Sequence, residues 1–323
     1  MNSVSLSNSR MNTYLRLGRV SNLPTVWSNV LAGTIVASSI TGRPLSAIHT
    51  LLVMLAISAF YCAGMYLNDA FDREIDARER PGRPIPSGQI AARTVFVMGF
   101  VMQAFGLLVL SQYGIWAFVC GLALAATILL YNVWHKGNSF SPLIMGLCRA
   151  LVYFSAAACA MAITGNIAEQ TLSAEAVTMS GNHGVLVHTA VVLAALAIWA
   201  HVVGLTYAAK QESLNRLGSL WPLMILALPV VLYGSRFVHT WSDGALPLLM
   251  LLALTVADII AVRLLITRHI AGAVPKAVAQ LIAATSLLDA LVIAVAGGTP
   301  EAVVFCVLAF ALTRFLQRII PGT

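Results

Sequence analysis

Long apolar stretches, each bounded by a polar cluster, run through almost the whole chain. They predict helices near residues 22–42, 47–67, 94–112, 115–133, 141–163, 185–206, 220–237, 244–267 and 277–297, with a further apolar stretch at 299–318. Most reach the roughly 18 apolar residues that a membrane-spanning helix needs. The expected fold is an all-α polytopic membrane protein of nine transmembrane helices. The last stretch reads either as a tenth span or as a helix lying in the membrane interface. No linker or low-complexity segment divides the sequence, so residues 1–323 read as a single transmembrane domain with a polar N-terminal segment at 1–21. The apolar run from Leu23 is long enough to span, which favours an uncleaved first helix over a secretory signal.

Composition agrees with this pattern. The chain is 59% hydrophobic and 10% charged, with a mean hydropathy of +0.86, whereas about a quarter of a soluble domain is charged. The net charge of +7 is sorted along the chain. Arg10, Arg16 and Arg19 precede the first span, and Arg73, Arg78, Arg80, Arg83 and Arg93 follow the second. Lys136 follows the fourth, Lys210 and Arg216 the sixth, and Arg268 and Lys276 the eighth; the opposite connections carry only Arg43 and Arg236. The positive-inside rule then places the N-terminus and these basic loops in the cytoplasm, as in an integral protein of a bacterial inner membrane. Positive charge is thus an orientation signal, and no recognition motif argues for nucleic acid. No protein partner is indicated. The five cysteines all lie in apolar runs without metal or redox spacing, which is the pattern of small buried side chains.

The acidic residues are concentrated instead. Of twelve in the chain, Asp69, Asp72, Glu74, Asp76 and Glu79 fall in one segment after the second span. Carboxylates at the end of a membrane helix are costly without a compensating cation. Asn68, Asp72 and Asp76 are four residues apart, so one continuous helix would carry them along a single face with a drift of about 40° per step. Such a row of oxygens suits Mg²⁺, a hard cation that binds one or two carboxylates together with substrate phosphates. Arg73, Arg80 and Arg83 stand ready for those phosphates. The plain alternative is a set of ordinary ion pairs among Asp72, Asp76, Arg73, Arg78 and Arg80.

These residues resemble the UbiA superfamily of intramembrane prenyltransferases. The segment Asn68-Asp69-x-x-Asp72-x-x-x-Asp76, followed by Arg83-Pro84-Ile85-Pro86-Ser87-Gly88, is similar to that family's first Asp-rich motif and the segment after it. Arg19 to Trp27 resembles the family's first helix, and Tyr131, Lys136 and Arg149 fall where members keep diphosphate-binding or supporting polar residues. The resemblance implies nine helices around a central cavity and Mg²⁺-dependent transfer of a prenyl chain from a prenyl diphosphate to a membrane-accessible acceptor. It implies that Asn68 and Asp72 hold Mg²⁺, that Asp76 completes or supports that shell, and that Arg83 and Lys136 neutralise the leaving group.

A second Asp-rich motif is expected after the sixth span, and here the chain departs. The segment reads Tyr207-Ala208-Ala209-Lys210-Gln211-Glu212-Ser213-Leu214-Asn215, with amides at Gln211 and Asn215 where two aspartates belong. Losing two carboxylates disfavours a second metal, and Lys210 offers a fixed positive charge in its place. Tyr207, Gln211 and Glu212 are the residues expected to face the acceptor. The phrase Gly204–Glu212 resembles a divergent branch found in bacterial and algal ebo gene clusters. Three readings remain open at this level: an active transferase, a prenyl-lipid binder or carrier that keeps only the first motif, and a secondary transporter unrelated to prenyl lipids. Three further residues are weighed two ways. Arg149 faces either a diphosphate or a structural network. Asn22 either orients substrate or caps the first helix. His201 reads more readily as packing than as a proton acceptor.

Overall fold

A computed structural model of the chain describes residues 11–41, 46–168, 176–210, 221–239, 244–266 and 272–320. Every regular element among them is helical. After a helical segment at 11–17 and a 3-10 turn at Val20–Asn22 come α1 (Leu23–Thr41), α2 (Ala47–Phe71), the short α3 (Arg73–Glu79), α4 (Ala92–Ser111), α5 (Ile115–Trp134) and α6 (Ser141–Ala168). The second part holds α7 (Ala176–Lys210), α8 (Trp221–His239), α9 (Ala245–Ile266), α10 (Ala273–Val295) and α11 (Pro300–Leu316). The ten apolar stretches each become one long helix. Among the described residues, seven of these, α2, α4, α5, α6, α7, α9 and α10, contain a segment long and apolar enough to cross a membrane.

Helices adjacent in sequence pack side by side. α2 lies along α4, α5 along α6, α6 along α7, α7 along α8 and α9 along α10. α11 packs on both α10 and α1 and so closes the bundle, while α1 also touches α2, α6 and α7. α10 is the most enclosed helix, and Leu281, Leu288, Leu291 and Ile293 on it have no exposed surface. The opposite pattern marks the outer faces, where Leu55, Phe100, Leu108, Ile115, Leu249 and Val256 stand exposed. Exposed apolar side chains over helices whose backbone bonds are internally satisfied form a surface suited to lipid. Close approach of α1 and α6 depends on Gly33, where a Cβ would sit 2.9 Å from the Tyr153 carbonyl oxygen and 3.0 Å from the Ala156 Cβ.

One local feature corrects the sequence expectation. Asn68, Asp72 and Asp76 do not share a continuous helix. α2 ends at Phe71, and Asp72 adopts φ −80°, ψ −2° before α3 restarts at Arg73. The break gives Asp76 a different outlook from Asn68 and Asp72.

Candidate functional site

A cavity of about 1100 Å³ opens among the 3-10 turn and helices α2, α3, α5, α6, α7 and α10. Asn68 and Asp72 line it from α2 and its end, and Arg80 and Arg83 from the segment after α3. His135, Lys136 and Asn138 face it from the loop after α5, and Tyr207 and Lys210 from the last turn of α7. Gly137 lets that loop turn, with φ +69°, a conformation costly for other residues.

Asn68, Asp69, Asp72 and Asp76 each have one side-chain oxygen held by a cationic side chain of the chain itself. Asp72 Oδ2 lies 3.2 Å from His135 Nε2 and 3.6 Å from Lys136 Nζ. Asp72 is buried, which by itself raises its pKa. The hydrogen bond and charge of His135, with the charges of Lys136 and Arg83, outweigh burial and hold the carboxyl below the ordinary value of 3.8. Asn68 donates from Nδ2 to Asn132 Oδ1 at 3.3 Å, and Asn132 in turn donates to the Gly64 carbonyl at 3.2 Å. That chain of amides orients the Asn68 oxygen, to which Arg19 donates at 3.5 Å.

Asp76 is placed otherwise than the spacing suggested. It does not line the cavity; its Oδ2 accepts from Arg83 Nη1 at 2.8 Å, and the same nitrogen donates to Asp69 Oδ1 at 3.0 Å. Asp76 therefore meets the cavity wall only through Arg83. Arg73 is also away from the cavity. It pairs with Glu74 at 3.0 Å and lies over the Phe96 ring at 5.9 Å. The restart of the helix at Arg73 turns its side chain outward along α4.

The facing wall is tied to the loop after α5. Lys210 Nζ donates to the Asn138 carbonyl, and the Tyr207 hydroxyl donates to the Ser139 carbonyl at 3.0 Å. Asn22 lines the cavity and accepts from Gln317 Nε2 at 3.1 Å. Gln211 and Glu212, with Asn215, lie outside the described residues. Arg149 faces the cavity and is anchored from behind: Nη1 donates to Asn29 Oδ1 at 2.6 Å and Nη2 to Thr25 Oγ1 at 2.9 Å. Asn29 donates from Nδ2 to both oxygens of Asp289 at 2.8 Å, and Asp289 also accepts from Ser28 and Tyr153. Asp289 thus stands behind Arg149 in the bundle interior, joined to it through the one amide of Asn29.

Beside the cavity, toward the helix interior, is an apolar pocket of about 80 Å³ lined by Val26, Ile57, Phe60, Leu124, Ile128 and Val152 among others. Tyr61, Met65, Tyr131, Met145 and Arg149 border both spaces. Three features of this site escape the sequence patterns. His135 takes the carboxylate beside Lys136, Tyr61 joins the expected Tyr131 at the junction of polar and apolar space, and Asn138 keeps its buried Nδ2 without a partner among the described residues. The His135 ring stacks on Tyr131 with centroids 5.0 Å apart; a four-residue helical spacing was the available signal.

A family model described as the UbiA prenyltransferase family matches residues 23–283. Digeranylgeranylglyceryl phosphate synthase of Sulfurisphaera tokodaii is 31% identical over 142 residues, which make up 44% of this chain and 50% of that protein. The chain thus spans about half the length of the curated relatives it matches. Its fold is similar to a solved structure concerning digeranylgeranylglyceryl phosphate synthase in membranes, with a TM-score of 0.58 at 20% identity over 90% of this chain and 98% of that one. A UbiA homologue from Archaeoglobus fulgidus bound to GPP and Mg²⁺ matches with a TM-score of 0.56 at 15% identity, covering 88% of this chain and 99% of that one. The apolar helices and the shared fold make this an integral membrane protein of the expected all-α architecture. With the match running through α1 to α10, the chain belongs to the UbiA prenyltransferase family.

Proposed function

We propose that the protein transfers a prenyl group from a prenyl diphosphate to a membrane-accessible acceptor, with Mg²⁺ as cofactor. The observation that carries this reading is the junction itself: a cavity ringed by cationic and amide side chains shares a wall with an apolar pocket. An anionic head with a hydrocarbon tail fits that pair of spaces, and a homologue of the same fold binds GPP with Mg²⁺.

The donor set suits the metal in a limited way. Among the described residues no three His, Cys, Asp or Glu side chains converge on a metal position. Asn68 and Asp72 bring two oxygens to the cavity wall, which matches Mg²⁺ completed by phosphates and water. When bound, Mg²⁺ supplies charge neutralisation on the departing diphosphate oxygens. Asn68 and Asp72 would hold it, and Asp76 would keep Arg83 in place beside them.

The remaining work falls to side chains. Arg80, Arg83, Lys136 and Lys210 line the cavity and bind the diphosphate as fixed cations, stabilising charge as the C1–O bond breaks and its electron pair moves onto the diphosphate. Tyr61 and Tyr131 stand where the head joins the tail; their π faces favour the allylic cation. The apolar walls keep water away from it. The acceptor's nucleophilic atom bonds to C1, and the proton it loses passes to the released diphosphate. Tyr207 faces the cavity for the acceptor, and Glu212 and Gln211 follow it in sequence. The basic loops beside the site support a cytoplasmic orientation in a bacterial inner membrane under the positive-inside rule.

The test uses protein in lipid nanodiscs with Mg²⁺, geranyl diphosphate and a membrane extract as acceptor source. Pyrophosphate release that depends on Mg²⁺ and disappears in Asp72→Ala supports transfer. Tight retention of intact donor with no release would show a binder instead, and neither retention nor release would remove the reading.

A further inference from the structure

The apolar pocket beside the cavity has a definite depth. Its mouth is the ring of Tyr61, Met65, Tyr131, Met145 and Arg149 that it shares with the cavity, and its far end is built by Ile57, Phe60, Leu124 and Val152. Met65 and Ile57 are eight residues apart on α2, Tyr131 and Leu124 seven apart on α5, and Met145 and Val152 seven apart on α6. At roughly 1.5 Å of rise per residue, all three helices separate mouth from end by about 10–12 Å. An extended carbon chain advances about 3.3–3.6 Å over three bonds, so an isoprene unit of four bonds takes roughly 4.5 Å and the pocket ends after two to three units. Volume gives a similar limit. The pocket's 80 Å³, at roughly 10–15 Å³ for each water-sized sphere, takes about five to eight chain atoms beyond those held at the mouth.

The far end is closed. Ile57 and Phe60 are 1% exposed, Leu124 2% and Val152 6%, so no opening to lipid lies at that level. The Phe60 ring rests against α4, where a Cβ at Gly106 would sit 2.5 Å from its Cε2, and that wall has no room to swing back. One helical turn farther on, Val53 of α2 and Ala156 of α6 belong to a separate recess of about 20 Å³, whose other walls include Thr34, Ser38, His49 and Thr50. Ile57 and Val152 therefore stand between an apolar space and a small polar one, and a hydrocarbon gains nothing by reaching past them.

We infer that this pocket selects the donor by length: it takes a prenyl chain of two to three isoprene units, and Ile57, Leu124 and Val152 stop the chain there. A chain of four units has to leave its end among the charged groups of the cavity or displace that floor. The inference rests on the proposed donor site, and adds to it the size class of the donor and the residues that set it.

The experiment measures binding of tritiated geranyl diphosphate to the full chain in phosphatidylcholine nanodiscs with Mg²⁺. Unlabelled dimethylallyl, geranyl, farnesyl and geranylgeranyl diphosphate compete, with free concentrations taken from discs without protein. Affinity is expected to rise from dimethylallyl to geranyl, to stay within a few-fold at farnesyl, and to fall about 10-fold or more at geranylgeranyl. Leu124→Ala/Val152→Ala lowers the floor and should improve geranylgeranyl relative to geranyl binding by about 10-fold. Partition into the disc lipid is the same for both proteins, so that change of ratio reads the pocket alone. Val152→Phe raises the floor and should weaken geranyl while dimethylallyl diphosphate still binds, which also verifies that the variant is folded. Wild type that binds geranylgeranyl as tightly as geranyl diphosphate would overturn the inference. So would an unchanged ratio in a double variant that still binds dimethylallyl diphosphate, or undiminished geranyl binding in Val152→Phe. Absence of saturable binding of every diphosphate, whatever its chain, would overturn the donor site itself.

Discussion

Replacing Arg83 by Ala separates an ion pair that builds the site from one that clamps phosphate. Its Nη1 atom lies 2.8 Å from Asp76 Oδ2 and 3.0 Å from Asp69 Oδ1, and the Asp76 side chain is only 3% exposed. At an effective dielectric of about 20, each contact carries a gross attraction on the order of 6 kcal/mol. Desolvation of the three groups offsets most of that, so the intact cluster adds little net stability. Breaking it is another matter, because Asp76 is then a buried charge without a partner, at a loss of roughly 3–5 kcal/mol. The temperature of thermal aggregation in detergent should fall by on the order of 10 °C. Adding Asp76→Asn to Arg83→Ala removes the stranded charge and should restore most of the stability. Pyrophosphate release should stay impaired in that double variant, since Arg83 also faces the cavity. Wild-type aggregation temperature in Arg83→Ala, or no recovery with Asp76→Asn, would refute the reasoning.

Other expectations are as direct. Asp72→Asn should leave folding intact and reduce pyrophosphate release from geranyl diphosphate by about 100-fold or more, because charge opposite the leaving group is lost. The depressed pKa of Asp72 has a defined stability window. Its ion pairs contribute fully above the ordinary value of 3.8 and are lost as pH falls through the lower folded value, so wild type and Asp72→Asn should converge in aggregation temperature only below about pH 4. Tyr207→Phe removes the bond to Ser139 that steadies the loop of His135 and Lys136; a loss near 1 kcal/mol corresponds to a KM for donor about 5-fold higher. Gly33→Leu forces α1 away from the Tyr153 backbone and should destabilise by about 1–3 kcal/mol, read as an earlier thermal transition.

The helices were legible because their signal is redundant: each depends on some twenty side chains, and no single residue decides it. The first Asp-rich segment was legible for a different reason, since carboxylates are too costly at a membrane helix end to be placed there idly. What spacing could not show was direction. Asn68, Asp72 and Asp76 keep a regular interval in sequence, yet the break at Asp72 sends Asp76 to Arg83 and Arg73 to the outer surface. Contacts between distant segments were equally hidden. Asp289 reaches Arg149 through Asn29, and Asn68 is held by Asn132, pairings set by how α1, α2, α5, α6 and α10 pack. His135 looked ordinary beside Lys136, because only the fold brings its ring to Asp72.

The most direct measurement is a structure of the protein with Mg²⁺ and a non-ionisable thiolodiphosphate analogue of geranyl diphosphate. The diphosphate is expected against Asn68 and Asp72, with Lys136 and Arg83 on its oxygens and the geranyl chain between Tyr61 and Tyr131, running toward Phe60 and Leu124. A diphosphate seated away from Asn68 and Asp72, or a chain lying outside the bundle, would contradict the proposed function at its centre.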